Sequence, residues 1–263
     1  MHCASNPEDV ALKTPECSDL ARFGITASPI IEMDTKVRRA FNKVVCYEAN
    51  PECRDHGGFL EFVDACCVTF AAEASDREYV LAHELAHALR NSRPGSLQLR
   101  PSRRRGPSAF GRDVAGWIVS VLEHPEVVAI VRTYGIDPTS IFVSRSEKVY
   151  ESRRALLEPD EGPNLNRDGA DALMLCEEIG PYRNEKSMLL LQLYKEKRPW
   201  VIDLAHTLCE IRNKYCQGSA SPIDAALAYA ARLDFPAACD HFTTRDEAFL
   251  QELSAIRYAD RPR

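Results

Sequence analysis

The segment from Ser75 to Asn91 constrains the fold most, because its start, interior and end all predict a single α-helix. Ser75-Asp76-Arg77-Glu78 has the pattern of a capping box, in which Ser75 accepts from the amide of Glu78 and the Glu78 side chain reaches back. Residues with high helix propensity fill the interior, and Pro94-Gly95 ends the segment. This helix is therefore the element around which the rest of the chain must pack.

The same helix carries His83-Glu84-Leu85-Ala86-His87, which matches the pattern H-E-x-x-H. Residues four apart lie on one helix face, so both imidazoles can point at one metal ion about 2.1 Å from each nitrogen. Glu84 lies one position along and flanks that ion, where it can take a proton from bound water and pass it to a leaving amine. On the opposite side of the helix, an apolar face is predicted to anchor it: Leu81, Leu85, Ala88 and Leu89.

A second interpretation of the motif is a pair of histidines that are solvated or satisfied in the core. The capping box, the helix length and the β-rich runs just before the helix favour the metal site. The sequence therefore predicts one Zn²⁺ ion, bound by His83 and His87, with Glu84 as the general base.

The helices and strands on either side of this helix have less well-defined ends in the sequence. An amphipathic run after Asp34 has apolar residues at helical spacing: Val37, Ala40, Phe41, Val44 and Val45. Two short runs, Phe59 to Val63 and Cys66 to Phe70, predict a small sheet. A long apolar helix is expected from Val114 to about Val131, interrupted at Pro125.

The remainder of the chain is helical in pattern, with helices expected to begin near Asp168, Asn184, Pro199, Ser221 and Thr244. The predicted fold class is thus α+β and mainly helical. We expect an irregular segment at 1–33, a metal-binding catalytic part at 34–158 and a helical part at 159–263. The last two parts can form one compact unit.

Residues 59 to 124 resemble the active-site segment of the zincin metallopeptidases, over about a quarter of the chain. The likeness lies in a small sheet, the H-E-x-x-H helix and a later helix that carries a third ligand. The metzincin pattern would need glycine at position 90 and histidine at position 93, where this chain has Arg90 and Arg93. The resemblance therefore implies a gluzincin-like site with an acidic third ligand.

The third ligand remains open between two neighbouring residues on the later helix. Glu123 is the gluzincin-like choice. His124 shares a helix side with Val121 and Trp117, which is expected to pack inward. Both residue types bind zinc. Asp113, at the start of the helix, is a third candidate.

The resemblance implies a zinc metalloendopeptidase that acts on a protein or peptide substrate. It also implies a Tyr, His or Arg that stabilises the tetrahedral oxyanion, and the candidates are Tyr134, Tyr150, His206 and His241. The alternative is a regulatory or interaction protein on a zincin scaffold, with a structural or sensory metal. Glu84 favours the enzyme, because a purely structural site does not need it.

Composition narrows the possible partners. The net charge of −6 lacks the basic excess of a nucleic-acid-binding protein. The Arg100–Arg105 cluster is the one hint of phosphate or acidic-substrate recognition, and it is more typical of a solvated loop. Because this loop joins the two helices that carry the candidate ligands, we expect it near the cleft, where it can act as a lid.

The expected location is the cytoplasm. The N-terminus has no basic region followed by an apolar run, and we expect no stretch to be long and apolar enough to cross a membrane. A protein delivered by a specialised secretion machine would look the same. Most of the ten cysteines are expected to be reduced and buried, although Cys46 and Cys53 flank a polar loop and could pair.

Overall fold

A computed structural model of the chain describes residues 19–50, 57–72, 76–101, 109–157, 163–180 and 183–255. Helices take up 68% of it, and its strands form a three-stranded mixed sheet and a two-stranded sheet. The predicted fold class, α+β and mainly helical, is confirmed.

The first part of the described chain is more regular than its sequence suggests. A short 3-10 helix at Leu20–Phe23 precedes α1, Ser28–Phe41, which has a proline in its first turn. The prediction of an irregular segment at 1–33 is therefore wrong for residues 19–33, and residues 1–18 lie outside the described residues. The placement of Val44 and Val45 on this helix is also wrong, because Asn42 adopts a left-handed conformation with φ 52° and ends it.

Val44 and Val45 instead begin strand β1, Val44–Ala49, in the three-stranded sheet. Its other strands are β2, Gly58–Glu61, and β3, Ala65–Phe70, so both predicted β-rich runs form strands. The strand order is β1-β3-β2, with β1 parallel and β2 antiparallel to β3.

Helix α2, Arg77–Asn91, carries the H-E-x-x-H motif. The N-cap residue of this helix is Asp76. The predicted capping box depends on Ser75, which lies outside the described residues. As predicted, Leu81, Leu85 and Ala88 are fully buried, in a core shared with α1, the sheet and the end of α3. This anchoring fixes the rotation of α2 and thereby the direction of its opposite face.

Helix α3, Ala109–Thr133, runs through Pro125 without interruption, so the predicted break there is wrong. The helix is held on both sides of the proline, because Ile118 and Leu122 pack in one core while Val127 and Val131 pack in another. Burial in two cores outweighs the backbone hydrogen bond that a proline removes.

Because α3 contributes buried residues to two hydrophobic cores, it is rich in apolar residues. Within Phe110–Thr133 an 18-residue window has a mean hydropathy of 1.5, so this helix is long and apolar enough to cross a membrane, contrary to the expectation that no stretch would pass this test. Half of this window is buried inside the protein, as in the core helices of many folds.

The remaining helices are α4, Thr139–Leu156; α5, Leu165–Glu178; α6, Glu185–Lys197; α7, Pro199–Cys216; α8, Pro222–Arg232; and α9, Glu247–Ala255. Helix α8 begins near Ser221 as predicted, and Ser221 caps it by accepting from the amide of Asp224. Thr244 does not begin α9; Asp246 caps it by accepting from the amide of Phe249.

Two features of this part were not predicted, α4 and a small sheet. In that sheet, β4, Leu97–Leu99, pairs antiparallel with β5, Phe242–Thr244. The pairing ties a segment next to α2 to the C-terminal helices, so the chain on either side of residue 159 is interleaved.

The cysteines follow the expectation in part. Six described cysteines are free thiols, and both members of the vicinal pair Cys66-Cys67 are buried, as expected. Cys46 is disulfide-bonded. Cys53, with which the sequence allows it to pair, lies outside the described residues, as do Arg103, Arg104 and Arg105 of the basic loop.

Candidate metal centre

Three histidines from two helices meet at one point. His83 and His87 come from α2 and His124 from α3, and one ring nitrogen of each lies within 4.8 Å of the others. Their ring centroids are 4.8 to 5.4 Å apart. The Nε2 atoms of His83 and His87 are separated by 3.2 Å. Two nitrogens that each lie about 2.1 Å from a tetrahedral zinc ion would be about 3.4 Å apart, so this pair fits such an ion.

The chemical state of the rings suits a metal. Burial lowers the pKa of His83 to about 3, helped by the nearby His124. Burial also lowers the pKa of His87 well below its usual range, and both neighbouring histidines add to the effect. Both imidazoles are therefore neutral at pH 7, and the neutral form is the one that binds metal ions.

Glu123 lies behind His87, away from the three converging nitrogens. Its Oε2 is 3.5 Å from Nδ1 of His87, and its Oε1 accepts from Arg90. Arg90 also donates to the hydroxyl of Tyr215 on α7. The side chains of Glu123 and Arg90 are only 1% and 3% exposed. Glu123 is thus placed to orient the His87 ring, which leaves Nε2 of His87 for a metal.

Glu177, on α5, holds His124 in the same way. Its Oε1 lies 2.5 Å from Nδ1 of His124, and its Oε2 accepts from Arg145 on α4. Burial acts to raise the pKa of Glu177, but His124 and Arg145 outweigh it and hold this pKa well below the usual range. An ionised Glu177 fixes the proton of His124 on Nδ1, so Nε2 is the metal-binding nitrogen. In the present arrangement this Nε2 pairs with Ser120 Oγ at 3.0 Å.

His83 has no carboxylate behind its ring to orient it among the described residues. The Nδ1 atom of His83 is buried and has no hydrogen-bond partner among the described residues. A carboxylate oxygen therefore lies 3.5 Å from the second ring nitrogen of His87 and 2.5 Å from that of His124, whereas His83 has no such neighbour among the described residues.

Glu84 borders the same cavity from one side of the histidines. It is 7% exposed, and in the part of the chain that the structure describes its carboxylate has no ion-pair partner. Burial raises the pKa of Glu84 to about 8. Gly57 lies directly against it: a Cβ at Gly57 would be 2.6 Å from Cγ of Glu84 and 2.8 Å from the carbonyl oxygen of Thr69. Glycine is the residue that leaves room for this carboxylate.

The cavity has a volume of about 720 Å³, within the range of ligand sites in proteins. None of Tyr134, Tyr150, His206 and His241, the predicted oxyanion stabilisers, lines it. Tyr79, Arg145 and Lys148 do. Asp113 is exposed and does not belong to the histidine cluster.

Three contributors to the site were not found from the sequence. Glu177 and Arg145 lie on elements distant in sequence, and no spacing connects them with the H-E-x-x-H helix. Gly57 precedes β2, and nothing in its sequence context connects it with Glu84. Arg90 was noted as the residue that breaks the metzincin pattern, and in the fold it is the counter-ion of Glu123.

Comparison with family models, with curated proteins and with solved structures found no match to this chain. The zincin resemblance thus remains one of motif, and the geometry of the site must support any functional conclusion.

Proposed function

We propose that this chain is a zinc-dependent metallopeptidase that hydrolyses peptide bonds in a protein or peptide substrate. One observation carries the proposal: Nε2 atoms of His83 and His87 are 3.2 Å apart, in a cluster that His124 completes. Three imidazoles with one open position are a ligand set of catalytic zinc sites. The carboxylates behind His87 and His124 support the same interpretation, because such partners orient metal-binding histidines.

Glu84 is the proposed general base. A bound zinc ion would supply a water molecule whose pKa is lowered towards 7 and would polarise the substrate carbonyl. Glu84 would accept the proton of that water and then deliver it to the nitrogen of the departing amine. Burial raises the pKa of Glu84 to about 8, but the charge of a bound zinc ion would lower it and so favour the ionised carboxylate that accepts the proton at the cavity wall.

The environment of Glu84 also favours the enzyme over a protein with a structural metal. A buried carboxylate without a cationic partner lowers the stability of a fold. Glu84 is 7% exposed and has no ion-pair partner among the described residues. A purely structural site would do without such a group, whereas hydrolysis requires it.

Metal analysis and a chelator assay test the proposal. We expect one zinc per purified chain, and we expect cleavage of fluorescein-labelled casein that 1,10-phenanthroline stops and added zinc restores. The double variant His83→Ala, His87→Ala should lose both the metal and the activity. His206→Ala is the matched control, because His206 is exposed on α7 and distant from the cluster. Substoichiometric zinc in the parent protein, or cleavage that is insensitive to the chelator, would contradict the proposal.

Gly57→Ala is expected to lower the hydrolysis rate while zinc remains bound. The added methyl would overlap Cγ of Glu84, so the base or the start of β2 must move. Displacement of a catalytic group by about 1 Å costs roughly 100-fold in rate. The measurement is casein cleavage together with zinc content.

Gly58→Ala, at the next residue and the first of β2, is the matched control for this variant. A Cβ at Gly58 meets only the Thr69 hydroxyl, which can rotate away. If Gly57→Ala cleaves casein as fast as Gly58→Ala, the close packing of Gly57 on Glu84 has no catalytic consequence.

A further inference from the structure

Trp117 is a large aromatic residue in an unusual place. Its side chain is 53% exposed, and it borders the cavity that contains the three histidines. Ser120 and His124 follow it at helical spacing on α3 and border the same cavity. These three residues therefore form one line along the cavity wall. At 1.5 Å per residue, Trp117 lies about 10 Å along the helix from His124.

Helix α4 supplies a second apolar wall. Ile141, Phe142 and Val149 border the cavity and are only partly buried. The one buried side chain of α4, which is described over its whole length, is Ser146. Polar contacts anchor the helix: Ser146 Oγ lies 2.6 Å from Glu178 Oε2, and Arg145, which borders the cavity, pairs with Glu177. Val149 also packs against a hydrophobic core, whereas Ile141 and Phe142 belong to neither core of the described residues and are left at the cavity.

We propose that Trp117 and the apolar residues of α4 form a subsite for a large apolar or aromatic side chain of the substrate, three residues from the scissile bond. The inference rests on the proposed function, because the bound metal defines the position of that bond. An extended peptide advances about 3.3 Å per residue, so three residues span the roughly 10 Å between His124 and Trp117.

The positive charge of Arg145, which also borders the cavity, does not favour an acidic substrate side chain over an apolar one. Its guanidinium is already paired with Glu177, so it does not select an acidic side chain. An aromatic side chain would cover Trp117, and stacked or edge-to-face aromatic contacts add to the effect of apolar burial. Partial burial of this kind corresponds to about tenfold in affinity relative to alanine.

Peptide hydroxamates can measure the distance of the subsite from the metal, because the hydroxamate group binds zinc and fixes the position of the peptide. Two series of trialanine peptides are needed, one with the hydroxamate at the C-terminal end and one at the N-terminal end, each with phenylalanine placed at position one, two or three from the hydroxamate. Binding to the zinc-loaded protein is measured by calorimetry. In one of the two series, phenylalanine at the third position should tighten binding about tenfold.

This gain should disappear in Trp117→Ala and persist in Trp117→Phe. Leu156→Ala is the control for loss of an exposed apolar residue, because Leu156 is 68% exposed on α4 and does not border the cavity. If the hydroxamates bind but the third position gives no gain, or if the gain survives in Trp117→Ala, the subsite is overturned and the metal site stands. If no hydroxamate binds the zinc-loaded protein, the proposed function fails, and the subsite fails with it because its distance is counted from the metal.

Discussion

Glu84→Gln is expected to lower the rate of peptide hydrolysis by about two to four orders of magnitude while zinc and fold are retained. The amide has nearly the shape of the carboxylate but cannot take a proton from the attacking water. Glu84 is not one of the three clustered ligand residues, so the metal should stay. The measurements are casein cleavage, zinc content and the melting temperature of the variant.

The melting temperature separates this mechanism from a simple folding defect. Because Glu84 is buried without an ion-pair partner among the described residues, a neutral amide there should leave stability unchanged or raise it. Glu78→Gln serves as the control, since Glu78 is exposed on the same helix. Undiminished hydrolysis in Glu84→Gln would exclude Glu84 as the base.

His124→Ala should release zinc far more readily than the parent protein. Zinc binding at four-ligand sites is worth about 10–16 kcal/mol, or roughly 2.5–4 kcal/mol for each ligand. Loss of one ligand therefore weakens binding roughly 100- to 1,000-fold. Competition with a zinc chelator measures the affinity, and X-ray absorption should count three imidazoles in the parent and two in the variant.

Glu123→Gln is the control for His124→Ala. It changes the neighbouring candidate ligand but keeps a side chain of nearly the same size in its position. The amide oxygen can still accept from Nδ1 of His87, so we expect an effect of at most about tenfold and an unchanged count of three imidazoles. Loss of zinc in Glu123→Gln with full retention in His124→Ala would reverse the assignment of the third ligand.

Glu123→Ala is unsuitable for this comparison. It would remove the buried carboxylate that pairs with Arg90, whose side chain is 3% exposed, and leave only the more exposed Glu126 at 3.4 Å. Breaking one side of a buried ion pair costs about 3–5 kcal/mol of folding stability. Zinc loss in that variant would therefore reflect unfolding as much as ligation.

Local spacing made the core of the site predictable. The positions of His83, Glu84 and His87 relative to one another follow from helix geometry alone, because residues four apart share a face in any α-helix. The apolar residues on the other side of the helix predicted which face is buried, and Leu81 and Leu85 are fully buried. The mainly helical α+β class followed from the periodicity of the apolar residues.

Packing between distant segments overruled local patterns elsewhere. Val44 and Val45 continue a helical periodicity, yet they lie in a strand because pairing with β3 buries Val45. Pro125 is a local signal for a helix end, but the two cores that hold α3 on either side outweigh it.

Only the tertiary structure decides whether Glu123 or His124 faces the other two histidines. Neighbouring residues on a helix point about 100° apart, so both are suitable ligands by type and only the rotation of α3 against α2 decides which one faces His83 and His87. That rotation is set by the burial of Ile118, Leu122 and Val127 in two separate cores. The sequence by itself determined two histidines and a base on one helix; the third nitrogen, the carboxylates that orient the rings and the glycine beside Glu84 exist only once distant segments are packed together.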